Sequence, residues 1–178
     1  MKNNRFLHYG AVLLIIAAVS AGILGVVNKF TSVVIAENAV KAINAARMLV
    51  LPTASDFDDS KAVKSEGLEF IPGYSASKEL TGYVVTVAEP GYAANIDFVL
   101  GIDTAGKITG LNIIGHQETP GLGSKIMNPE WQKLWTGRDS NYKFNKGTDG
   151  FVGATISPQS VYNGMMRALK AYDGGVKK

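Results

Sequence analysis

Two short stretches of this 178-residue chain gather the residue types that could do chemistry. One is His116-Gln117-Glu118-Thr119-Pro120-Gly121-Leu122-Gly123-Ser124-Lys125. Pro120 sets φ for the first central position of a type II turn, and Gly121 accepts the positive φ needed at the second. Residues without a Cβ also let backbone come close to a flat ligand. An ordinary connection from a strand to a helix uses the same turn chemistry, so this stretch alone leaves both readings open. The other is Asp149-Gly150-Phe151-Val152-Gly153-Ala154-Thr155-Ile156-Ser157-Pro158. Ser157 reads as an N-cap and Pro158 as the first residue of a helix, which puts Thr155 just outside the helix N-terminus. Free N–H groups and the positive end of the helix dipole favour an anion there, as in phosphate sites. A capped helix behind a glycine turn, with no ligand, fits the same residues. No set of nucleophile, base and oxyanion donors can be assembled from the two stretches, so no catalytic residue and no self-contained enzyme is expected.

Elements that alternate and turn in a regular way surround these stretches. Residues 82–88, 96–102 and 107–114 are rich in Val, Ile, Tyr and Phe and are separated by Pro90-Gly91 and by Thr104-Ala105-Gly106. This pattern predicts three consecutive antiparallel strands. Residues 122–135 predict one or two short helices, with Pro129 at a first helical position, and 158–172 a longer terminal helix. In the latter Val161, Met165, Ala168, Leu169 and Tyr172 share one face, and Gly164 is a weak point worth ~1 kcal/mol against alanine. The fold class is α+β. Residues 55–65 read as a polar surface connection; Asp56, Asp58 and Asp59 lack the glycine and closing glutamate of a calcium loop and read as solvated acids. The tail 174–178 is expected to fray.

Upstream, residues 9–27 carry no charge and only Ser20 as a frankly polar side chain. A helix needs roughly 20 such residues to cross the ~30 Å hydrocarbon layer, whereas the apolar part of a cleaved signal peptide has ~7 to 15. A retained transmembrane helix is expected, with 1–8 as a cytoplasmic N-terminus. Val33, Ala36, Val40 and Ile43 recur at helical spacing, so 28–50 reads as a helical stalk that Leu51-Pro52 ends, before a domain at 51–173. Lys2 and Arg5 on one side face Lys29, Lys41 and Arg47 on the other, so charge alone does not fix the orientation.

Composition removes several classes. With no cysteine and only two histidines, His8 and His116, disulfides, iron–sulfur ligation and a protein-built metal site are not expected. The net charge of +3 resides in Lys2, Arg5 and Lys29, before residue 31, leaving the remaining basic residues equal in number to the acids. Nucleic-acid binding needs a basic stripe, which dispersed charges do not make.

HQETPGLG and DGFVGAT, in that order, about thirty residues apart and behind one N-terminal anchor, resemble the FMN-binding domain of the G subunit of Rnf-type electron transport complexes. The resemblance covers nearly the whole chain. It implies FMN esterified through its phosphate to Thr155, within an Asp-x-x-Ser/Thr-Gly-Ala-Thr sequence read by a flavin transferase. Asp149, Gly153, Ala154 and Thr155 match that sequence; Val152 stands where the family usually has serine or threonine. The resemblance also implies that Glu118, Thr119, Gly121, Leu122, Gly123 and Lys125 line the flavin, with Gly153, Ala154 and Ser157 around its attachment and Leu122 over the ring. Tyr92 and His116 are candidates to flank it. The chain would then sit in the cell's inner membrane with its domain on the extracytoplasmic side. There it would relay electrons between other subunits of a complex that couples ferredoxin:NAD electron transfer to ion movement. A similar domain occurs in the C subunit of the sodium-translocating NADH:quinone reductase, for which this chain is short. From another class, a flavin-binding sensory ectodomain or an unflavinylated scaffold stays open.

Overall fold

A computed structural model describes residues 3–177 of the chain. Met1, Lys2 and Lys178 lie outside the described residues, as do the side chains of Asn3, Asn4 and Val33, so the expectations placed on Lys2, Val33 and the last residue of the tail are not addressed. Helix α1 spans Asn3–Val50, and the chain divides into two compact units after Lys41. The first unit is helical throughout its described length. Its stretch from Arg5 is long and apolar enough to cross a membrane, with a mean hydropathy of 2.6 and nothing buried by protein. Leu13, Ile16, Ile23 and Leu24 are all more than half exposed on it, an apolar surface that no other described part of the chain covers.

The second unit begins with the last turns of α1. The helix stops at Val50, before Pro52, because proline disfavours helical backbone in the residue preceding it. Strands β1 (Asp56–Phe57), β2 (Val63–Ser65), β3 (Leu68–Tyr74), β4 (Leu80–Pro90), β5 (Asn95–Asp103) and β6 (Ile108–Gly115) follow. They form one antiparallel sheet in the order β1-β3-β4-β5-β6, with β2 also on β3. The three long strands match the expected meander, differing from it by a residue or two at their ends.

The first half of the sheet departs from the expectation for 55–65. Two of its segments are strands too short and polar to announce themselves, paired because β3 offers an edge. A proline tolerates the middle of β3 for the same reason. The Pro72 carbonyl accepts from Asp58 N at 3.2 Å, so the proline nitrogen faces that side too, in the gap between β1 and β2. The acids of this stretch are also more than solvated. Asp58 caps the short 3₁₀ turn Asp59–Lys61, and Asp59 takes a bidentate pair from Arg47 at 2.8 and 3.1 Å.

Alternation along the strands sends side chains to two faces. Phe70, Val85, Val87, Phe98, Leu100 and Ile113 meet α3 (Ile156–Gly175) through Val161, Met165, Ala168 and Leu169. Ile71, Val84 and Val99 meet Ala46, Val50 and Leu51 on the opposite face. Two facing glycines, Gly101 and Gly110, let Val50 lie directly on the sheet. A Cβ on Gly110 would stand 2.8 Å from Val50 Cα, and Thr109 Oγ1 donates to Val50 O at 2.5 Å.

Helix α3 corrects two expectations. Gly164 is a contact site and not merely a weak point: its Cβ would meet Phe98 Cζ at 2.9 Å and Val87 Cγ1 at 3.1 Å, so the missing methyl lets α3 lie close to the sheet. The tail does not fray from Gly174. The helix runs through Gly175, Val176 is 6% exposed and Lys177 Nζ donates to Ala105 O at 2.8 Å, because the core continues to the end of the helix. A 3₁₀ turn, Gly123–Met127, and helix α2, Pro129–Lys133, fall where short helices were expected, with Asn128 capping α2 and Pro129 opening it.

Candidate functional site

Three loops converge at one end of the sheet: the β4–β5 turn, the segment that leaves β6, and the turn that enters α3. Each is shaped by its own residues. In the second, Leu122 N donates to Thr119 O at 3.2 Å and Gly121 has φ 74°, so Pro120-Gly121 forms the expected type II turn. Ser124 Oγ accepts from Gly121 N at 2.9 Å and fastens the turn to the following 3₁₀ segment. In the third, Ala154 N donates to Phe151 O at 3.1 Å and Gly153 has φ 81°, a turn of the same kind with Val152 at its tip. Val152 is 97% exposed.

The turn at 151–154 is braced from below by Asp149. Its buried carboxylate accepts from Tyr142 Oη and Asn145 N, both at 2.8 Å, and from Thr148 Oγ1 at 3.0 Å, while its carbonyl accepts from Trp131 Nε1 at 2.8 Å. Burial first, and then the neighbouring Asp149 carboxylate, push the Tyr142 phenol above its usual range and keep it a donor. The Phe151 ring packs on Trp131 with centroids 5.4 Å apart, so both ends of the segment are anchored in the core.

A cleft of about 270 Å³ opens between the loops. Tyr92 lines it from the β4–β5 turn; Glu118, Thr119, Leu122 and Gly123 from the second segment; Gly153, Ala154, Thr155 and Ile156 from the third. The structure therefore brings the two sequence stretches together across about thirty residues of chain. Gly121 and Lys125 stand outside the cleft lining, and Asp149 lies buried behind it. His116 is also outside the lining; its Nδ1 accepts from Glu118 N at 3.1 Å.

Ser157 is not the cap. Helix α3 starts two residues earlier than predicted, with Ile156, which makes Thr155 the N-cap residue and places Ser157 inside the first turn. The Ser157 side chain is buried and donates to Glu118 Oε2 at 2.5 Å. Thr155 is exposed, and its side chain makes no capping bond, so its hydroxyl stands uncommitted among the described residues. The amides of Ile156 and Ser157 begin the helix, and Pro158 has no N–H to contribute. The first turn contains no acid of its own; the Glu118 carboxylate meets it at the Ser157 hydroxyl, while the exposed Thr155 side faces the cleft.

Glu118 is 4% exposed and serves three walls at once. Oε1 accepts from Tyr92 N at 2.9 Å and Ala93 N at 3.2 Å, and Oε2 takes the Ser157 hydroxyl. Two glycines make room for this carboxylate: a Cβ on Gly91 would collide with Glu118 Oε1, and one on Gly123 would stand 2.7 Å from Glu118 Oε2.

The rim is apolar although it faces solvent. Tyr92 is 69% exposed, Ile156 51% and Leu122 42%. Large apolar side chains gathered around a concavity, beside a helix N-terminus, suit a flat apolar group that carries an anion. Ile156 was absent from the residues expected at the site; an isoleucine directly after an uncommitted helix-start threonine was the available signal.

Comparison with known proteins points the same way. Residues 91–170 match the FMN-binding domain family. The chain is 33% identical to the G subunit of the Na(+)-translocating ferredoxin:NAD(+) oxidoreductase complex of Acetobacterium woodii, across 92% of this chain and 89% of that one. It is 29% identical to the G subunit of the ion-translocating oxidoreductase complex of Vibrio vulnificus, across 94% and 89% of the two chains. Among solved structures, NqrC of Shewanella oneidensis shares the fold with a TM-score of 0.51, at 18% identity over 68% of this chain and 69% of that one.

Proposed function

The chain belongs to the family of G subunits of ion-translocating oxidoreductase complexes, and from that premise we propose that it is a membrane-anchored electron carrier holding FMN in ester linkage to Thr155. The observation that carries this reading is the placement of Thr155. It presents an uncommitted hydroxyl at the start of α3, on the wall of a cleft rimmed by Tyr92, Leu122 and Ile156.

The residues fit such a group. Apolar rim side chains suit an aromatic ring system, Thr155 supplies the acceptor oxygen, and the first turn of α3 favours a phosphodiester of roughly one negative charge by ~0.3 to 1 kcal/mol when exposed. Gly153 and Gly123 leave backbone bare at the wall, and Thr119 offers a hydroxyl there. FMN supplies reversible one- and two-electron transfer when bound. The chain's own part is to hold the group, to limit its contact with water and to set its potential through fixed charge and burial.

In this reading α1 crosses the membrane, the second unit lies on the extracytoplasmic side, and the covalent bond keeps the cofactor from being diluted away there. A flavin transferase installs it during maturation, reading Gly153, Ala154 and Thr155 at an exposed turn that Asp149 shapes from behind. Electrons then pass between neighbouring subunits of an Rnf-type complex that couples ferredoxin:NAD electron transfer to ion translocation. The test is the intact mass and in-gel fluorescence of denatured protein made alongside a flavin transferase. One FMN mapped to residue 155, lost in Thr155→Ala and kept in Thr155→Ser, is the expected result. FMN that survives denaturation in Thr155→Ala would refute the assignment.

A further inference from the structure

Glu118 lines the cleft, as the family resemblance implies, but its carboxylate is already bonded within the protein. Each of its carboxylate oxygens is already engaged, Oε1 by the amides of Tyr92 and Ala93 and Oε2 by the Ser157 hydroxyl, and the side chain is 4% exposed. No lysine, arginine or histidine side chain is bonded to it among the described residues; its donors are two backbone amides and the Ser157 hydroxyl, the last in the first turn of α3. Those donors tie together three walls of one cleft: the β4–β5 turn, which carries Tyr92, and the start of α3, which carries Thr155, are fastened to the segment that carries Leu122 and Gly123. Gly91 and Gly123 are the two positions where a side chain would push this carboxylate out.

We propose that Glu118 is a positioning residue, which clasps the β4–β5 turn and the start of α3 to one cleft and places a fixed negative charge in its wall that makes the bound cofactor harder to reduce. The inference rests on the reading that FMN occupies this cleft. The sign follows from electrostatics: electron uptake adds negative charge near a carboxylate in a partly water-excluded wall, which disfavours the reduced form and lowers the potential.

Two substitutions separate the clasp from the charge. In Glu118→Gln the amide oxygen still accepts from Tyr92 N and Ala93 N, and the NH₂ group can donate to Ser157 Oγ, so the shape persists without the charge. Glu118→Ala removes both. With full-length flavinylated protein in detergent, Glu118→Gln should keep its FMN mass and titrate at a more positive flavin potential than the parent. Glu118→Ala should also lose amide hydrogen-exchange protection at Tyr92 and Ala93, which Glu118→Gln retains. An unchanged potential in Glu118→Gln, or undiminished protection of those amides in Glu118→Ala, overturns the proposal. Glu118→Gln carries the test by itself if Glu118→Ala fails to fold. A parent protein that never gains FMN mass would sink the Thr155 reading and the charge effect with it. Hydrogen exchange on that unmodified protein would still decide the clasp, loss of protection supporting it and retention overturning it.

Discussion

Val152 is the residue at which this sequence departs from the attachment pattern that the resemblance implies, and its position limits what that departure can do. It occupies the tip of a turn closed by Ala154 N and Phe151 O, and it is 97% exposed. No packing is lost or gained by exchanging it, and surface substitutions of this kind fall within about ±0.5 kcal/mol. A hydroxyl there would be a handle for the flavin transferase and not a support for the fold. We therefore expect the parent protein to be flavinylated at Thr155, and Val152→Thr to raise the rate of attachment without raising its final extent or changing the melting temperature. A time course of intact mass checks this; a parent chain that stays unmodified while Val152→Thr is fully converted would show that the hydroxyl is required. Asp149 is the opposite case. Its place in the motif was legible, but only the fold shows that Tyr142, Asn145 and Thr148 take up its carboxylate behind the turn.

At the scale of elements, glycines decide how closely the helices lie on the sheet. Helix propensity alone makes alanine better than glycine at position 164 by ~1 kcal/mol. The neighbours reverse that sign. Phe98 Cζ at 2.9 Å and Val87 Cγ1 at 3.1 Å belong to fully buried side chains that cannot turn aside, and overpacking of such a contact costs ~1 to 3 kcal/mol. Gly164→Ala should lower the thermal midpoint of unfolding by a few degrees; a higher midpoint would show that α3 lifts freely from the sheet. The long strands could be read from their runs of Val, Ile, Tyr and Phe between turn residues, and α3 from an apolar face of period 3.6. Strands β1 and β2 could not. With two and three residues they have no period, and they exist because β3 has an edge to pair.

Across the second unit as a whole, the C-terminal end of α3 closes the core, and this makes stability sensitive to alkali. Burial, reinforced by Tyr83, Asp103 and Asp173 nearby, pushes the Tyr172 phenol up to about 12 from 10.0. The raised value means that the unfolded chain releases this proton first as pH climbs. The contribution is intact below pH 10 and is lost progressively between about 10 and 12, on the order of 2 kcal/mol over that window. Chemical denaturation from pH 8 to 12 should show the loss starting near 10, reduced in Tyr172→Phe; an unchanged slope in that variant would place the sensitivity elsewhere. Val176, buried beside this ring's helix, is the reason the tail holds where a run of glycine and lysine predicted fraying.

That the two stretches form one site was implied by the family resemblance; the apolar N-terminal helix, the α+β class and the strand meander could be read from the chain before folding, because each is written in local composition, periodicity or turn chemistry. Three features could not: that Thr155 and not Ser157 precedes the first residue of α3, that Ile156 joins Tyr92 and Leu122 on the rim, and that Glu118 is a clasp. The reason is physical. Which donors a buried carboxylate finds, and which glycine has no space for a methyl, depend on partners dozens of residues away that only folding brings within bonding distance.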